Sequence, residues 1–77
     1  MAQRVLIIDD DTRLTAMLSE YLSANGFAVE AQPTARLGLA ALHRQGSDAL
    51  ILDLMLPDAD GFDVCRQIRT SSDFPIL

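Results

Sequence analysis

Residues 4–11 read Arg-Val-Leu-Ile-Ile-Asp-Asp-Asp, and this stretch decides the fold. Val5, Leu6, Ile7 and Ile8 are apolar and largely β-branched, with no polar residue between them. A strand with one wet face would alternate; an unbroken apolar run predicts a strand covered on both faces, as in a parallel sheet. It stops abruptly at Asp9, Asp10 and Asp11.

Downstream the period changes from strand to helix. Leu14, Met17, Leu18, Tyr21 and Leu22 follow i, i+3, i+4, i+7, i+8, a single helical stripe expected to be core or core edge. Asn25-Gly26 ends it, and Asp11 at its start suits the positive end of the helix dipole. Residues 27–31 alternate and predict a second strand. Thr34, after Pro33, is placed to cap a second helix that carries Leu37, Leu39, Ala40, Ala41 and Leu42 and closes at Gly46. Gly38 within it costs helix propensity. Residues 49–52, Ala-Leu-Ile-Leu, predict a third buried strand that runs straight into Asp53. A loop over 54–60 leads through Gly61 into a third helix with Phe62, Cys65 and Ile68 on one stripe. Ser71, Ser72 and Asp73 read as loop, and Pro75-Ile76-Leu77 as the opening of a fourth strand.

The order β-α-β-α-β-α then predicts a three-layer α/β fold around a parallel sheet. At 77 residues the chain has room for one hydrophobic core, so residues 1–77 are read as part of a single domain. Six arginines and no lysine stand against eleven acids, for a net charge of -5, which argues against a nucleic-acid surface. No apolar stretch approaches the ~18 residues of a membrane helix. A single cysteine, Cys65, cannot form an internal disulfide; with no secretion signal before Asp9, this points to the cytoplasm.

Two of the three strands end in acids, Asp9 and Asp10 after the first and Asp53 after the third. Ligands of open parallel sheets sit beyond the carboxyl ends of the strands, at the point where the chain order reverses. If those two strands are neighbours, three carboxylates converge and repel one another, and a hard divalent cation such as Mg²⁺ is the natural partner. Asp11 is accounted for by its helix entrance alone. Cys65 reads as a small buried hydrophobe. His43 and Arg44 suit the C-terminal end of their helix, Asp48 the turn before the third strand, and Asp58 and Asp60 the loop and the helix start.

Val5-Leu-Ile-Ile-Asp-Asp-Asp11 and Leu50-Ile-Leu-Asp-Leu-Met-Leu-Pro-Asp-Ala-Asp-Gly61 resemble the two signature stretches of the response-regulator receiver family. The resemblance implies a flavodoxin-like sheet, of which this chain would be the N-terminal (βα)3 part of a (βα)5 receiver. It implies that Asp53 is the phosphoacceptor and that Mg²⁺ is held by Asp10, by Asp53, by the Met55 main-chain carbonyl, and by Asp9 through water. The phosphodonor would be the phosphohistidine of a sensor histidine kinase or a small phosphodonor, making the chain a signalling module rather than an enzyme. The 54–61 loop is similar to that of OmpR/PhoB-type regulators, so DNA would be reached only through a separate output domain. Family members also carry a Thr or Ser ending strand four and a Lys ending strand five. No lysine occurs here, and Ser71 and Ser72 precede the strand stub. The expectation is a chain cut after the third helix and the start of the fourth strand, with an exposed sheet edge through which it could self-associate. Two other functions fit the acids less fully. One is a Mg²⁺-dependent phosphohydrolase, whose Asp-x-Asp pattern Asp9 and Asp11 supply; the other is an interaction-only receiver.

Overall fold

A computed structural model describes residues 2–70, 72–73 and 75–77. Ser71, read above as loop, lies outside the described residues. Three strands and three helices alternate: β1 (Arg4–Ile8), α1 (Thr12–Ala24), β2 (Ala28–Gln32), α2 (Ala35–Gln45), β3 (Ala49–Leu52) and α3 (Gly61–Arg69). The strands form one parallel sheet in the order β2-β1-β3.

That order fixes where the helices go. The step from β1 to β2 runs one way across the sheet, and the step from β2 to β3 runs back. Right-handed crossovers therefore put α1 on one face and α2 on the other. α3, leading on past β3, shares the face of α2. The burial follows. Leu6, Ile8, Leu50 and Leu52 point to one side and form a core with Ala35 and Ala41 of α2 and Val64 and Ile68 of α3. Val5 and Ile7 point to the other side and are also buried, as a central strand requires. β2, at the sheet edge, has no fully buried residue. It spans Ala28–Gln32, one residue later than its alternation suggests, with the Ala28 N–H donating to the Gln3 carbonyl.

Each helix begins at a side-chain cap. Asp11 accepts from the Leu14 N–H, Thr34 from the Leu37 N–H, and Asp60 from the Phe62 N–H. α1 and α2 end where Gly26 and Gly46 take positive φ, 91° and 72°, a conformation costly for other residues. The turn into β3 is fixed to β1: the Arg4 N–H donates to Asp48 Oδ2 and the Asp48 N–H returns to the Arg4 carbonyl. Beyond β3, residues 75–77 lie along its outer edge. The Leu50 and Leu52 N–H groups donate to the Pro75 and Leu77 carbonyls, and Leu50 and Ile76 form a parallel bridge.

Two apolar stripes are corrected. On α1, Leu14, Leu18 and Leu22 are partly buried, but Met17 and Tyr21 are 61% and 66% exposed. On α3 the buried line is Gly61, Val64 and Ile68; Phe62 is exposed and Cys65 half-buried. In both helices the apolar residues cover a wider arc than one sheet face can meet, so those at its margin stay in solvent.

Candidate phosphoacceptor and cation site

β1 and β3 are neighbours in register, with Ile8 opposite Leu52. The chains leaving them emerge on the same rim. The Asp53 N–H still donates to the Ile8 carbonyl at 2.9 Å, so the ladder extends to the first acid after β3. On the other flank the Asp9 N–H donates to the Gln32 carbonyl at 3.1 Å. Asp9 is thus held between β2 and β3.

The carboxylates of Asp9, Asp10 and Asp53 each place an oxygen within 4.8 Å of the other two. Asp9 and Asp53 are half-buried and Asp10 is exposed. Asp9 Oδ1 accepts the Asp11 N–H at 2.9 Å, and Asp53 Oδ1 accepts the Met55 N–H at 3.0 Å. These bonds set the two side chains and leave further lone pairs free on each carboxylate. The ion pairs Arg44–Glu30 and Arg66–Asp63 both engage other acids. Carboxylates this close to one another repel when ionised. An all-oxygen set of this kind matches the donor preference of a hard divalent cation.

Of the four positions expected to act together, the structure gathers the side chains of Asp9, Asp10 and Asp53. Met55 meets Asp53 through its main-chain N–H, and its side chain is 85% exposed. Asp11, the second acid an Asp-x-Asp hydrolase would need, is turned onto α1 as its cap.

Two residues that carry no charge shape the site. Gly61 packs against the main chain of Asp53 and Leu54; a Cβ there would stand 2.5 Å from the Asp53 carbonyl oxygen. With the Gly61 N–H donating to the Leu54 carbonyl and Met55 bridged to Asp60, the loop after Asp53 closes on itself. Gly38 lies directly over the side chain of Ile8, which precedes Asp9. Helix propensity alone marks Gly38 as a weak point of α2 and says nothing of this contact. Asp58, read as a loop residue, instead accepts hydrogen bonds from Ala35 and Arg36 at the start of α2. Its partners lie 22 and 23 residues away, and no local pattern reports such a contact. The Arg36 N–H first, and the Ala35 N–H next, hold the Asp58 carboxyl below its ordinary value.

A sheet with acids at the carboxyl ends of adjacent parallel strands, flanked by a looped Asp-to-Gly segment, is the arrangement of a signal-receiving domain. The chain belongs to the response regulator receiver domain family, whose family model matches residues 5–77. It is 42% identical over 78 residues to the response regulator MprA of Mycolicibacterium vanbaalenii, a match covering 100% of this chain and 34% of that protein. It therefore spans about a third of the length of such relatives. Among solved structures it superposes on the chemotaxis response regulator CheY4 of Vibrio cholerae with a TM-score of 0.95 and 30% identity, covering 100% of this chain and 67% of that one. The BeF3-activated N-terminal receiver domain of Klebsiella pneumoniae RstA matches with a TM-score of 0.90 at 27% identity, covering 95% of this chain and 62% of that one. No helix among the described residues is long and apolar enough to cross a membrane.

Proposed function

We propose that residues 1–77 form the N-terminal part of one receiver domain in which Asp53 accepts a phosphoryl group from a sensor histidine kinase. The observation that carries this reading is the convergence of Asp9, Asp10 and Asp53 on one rim of the sheet, their oxygens within 4.8 Å of one another. Asp53 Oδ2, the oxygen the Met55 N–H does not engage, attacks phosphorus. The bond from phosphorus to the donor imidazole breaks, its electron pair returns to the ring nitrogen, and an acyl phosphate forms. A carboxylate is a weak nucleophile toward an anionic phosphoryl group, so positioning and charge neutralisation supply the rate. Mg²⁺ provides that neutralisation when bound. Asp10 and Asp53 would hold it directly, with the Met55 carbonyl, while Asp9 would act through water. The downstream effect would be on transcription, through a DNA-binding domain outside these residues, as in OmpR/PhoB-type regulators.

The test is incubation of the full-length protein with acetyl phosphate and Mg²⁺, followed by intact mass. The wild type is expected to gain the mass of one phosphoryl group. Asp53→Asn, and wild type in excess EDTA, are expected to gain none. A gain that survives Asp53→Asn removes Asp53 as the acceptor.

A further inference from the structure

Asp58 follows Asp53 by five residues, yet its carboxylate serves another element. Oδ1 accepts the Ala35 N–H at 2.8 Å and Oδ2 the Arg36 N–H at 3.0 Å. These N–H groups open α2 and have no acceptor within the helix. The local cap, Thr34, takes the Leu37 N–H at 3.2 Å. The first turn of α2 is therefore capped twice, once from its own chain and once from the loop after Asp53.

A helix can be capped by its own neighbours, so the borrowed carboxylate has a further consequence. It ties the tip of the 53–61 loop to the segment that follows β2. That segment is already tied to the acid pair, because the Gln32 carbonyl receives the Asp9 N–H. A continuous path thus runs from Asp53 through its loop to Asp58, across to residues 35 and 36, back along the chain to Gln32, and on to Asp9. At its base the loop is held by buried Leu56 and by the bond from Gly61 to Leu54. Asp58 holds its far end.

We infer that Asp58 is a positioning residue for the cation site: by bridging to the start of α2 it sets the spacing between Asp53 and the Asp9–Asp10 pair. The inference rests on the cation-site reading above. Support comes from the chemistry of the bridge, since a carboxylate accepting two backbone N–H bonds stays ionised and holds both. Arg36, which begins the bridge on the helix side, adds a favourable charge to the same carboxylate.

The experiment is Mn²⁺ binding to the full-length protein, read from the electron paramagnetic resonance signal of the free ion, in wild type and four variants. Asp58→Ala removes both acceptors, and its affinity is expected to fall by about tenfold, as when a group orienting metal ligands is removed. Asp58→Asn keeps one acceptor oxygen and is expected to lie between Asp58→Ala and wild type. Thr34→Ala weakens the same helix end without touching the bridge, and is expected to bind as wild type does. Wild-type affinity in Asp58→Ala, or an equal loss in Thr34→Ala, overturns the inference; the second result would mean that helix stability alone is at work. Should Asp58→Ala fail to fold, Asp58→Asn against Thr34→Ala decides by the same comparison. The fourth variant, Asp53→Asn, separates the two claims. Undiminished binding there discards the cation site itself, whereas binding lost in Asp53→Asn but kept in Asp58→Ala discards only the role of Asp58.

Discussion

Gly38 sets two effects of known size against each other. Helix propensity says that Gly38→Ala should stabilise α2 by about 1 kcal/mol. The new methyl would meet Ile8, its Cγ1 at 2.5 Å, and Ile8 is fully buried and cannot swing aside. Overpacking of a close-packed interior costs about 1–3 kcal/mol, so the steric effect prevails. Gly38→Ala is expected to lower the urea midpoint, by up to about 2 kcal/mol of stability. Asp58 gives a prediction about acid. Its carboxyl is held below the ordinary aspartate value of 3.8, so its contribution is fully present above that value and disappears as pH falls through the lower folded-state value. Thermal melts of wild type and Asp58→Asn between neutral pH and strong acid should converge at the acid end, where the wild-type carboxyl is also neutral. A gap that widens toward acid would have the sign wrong.

At the scale of elements, the sequence announces where each helix begins and ends more reliably than which side it buries. Asp11, Thr34, Gly26 and Gly46 act through bonds and dihedrals that reach only a few residues, so a linear reading finds them. Facing is decided at a distance. The apolar residues of α1 fit one helical stripe, yet Met17 and Tyr21 remain exposed, because the buried arc of the helix centres on Thr15 with Leu14, Leu18 and Leu22. On α3 the exposed Phe62 and the buried Val64 are both apolar, and only the position of β3 tells them apart. Ile68→Ala should therefore cost about 2–5 kcal/mol in chemical denaturation. Met17→Gln should stay within about 0.5 kcal/mol of wild type. Comparable losses at the two positions would mean that α1 presents a different face. Most of the site was legible for the same reason as the caps: acids ending buried runs are visible in one dimension. Asp58 was not, because its partners belong to another turn of the chain.

Across the whole molecule the sheet is finished differently on its two sides. β2 forms one margin, and the short segment 75–77 covers the other. Leu77 at that margin is 79% exposed and Ile76 half-buried. Unpaired peptide groups beside exposed apolar side chains recruit further strands. Expressed as a 77-residue polypeptide, the chain is expected to self-associate with rising concentration through this margin. Size-exclusion chromatography with light scattering checks it, and a well-folded monomer at every concentration would count against the expectation. The strand order itself could be reached from sequence only through the family resemblance, since nothing in a linear pattern says whether β3 lies beside β1 or beyond β2.

The match of Ile8 to Leu52 works as a ruler. One amino acid inserted into or deleted from Ala49–Leu52 would turn the remaining residues of β3 and Asp53 to the opposite side of the pleat and shift them by roughly 3.3 Å. Such a mutant would keep its full complement of aspartates and its isoelectric behaviour, yet Asp53 would no longer face Asp9 and Asp10. The number of residues between the start of the buried run and the acid that closes it thus sets which carboxylates can meet.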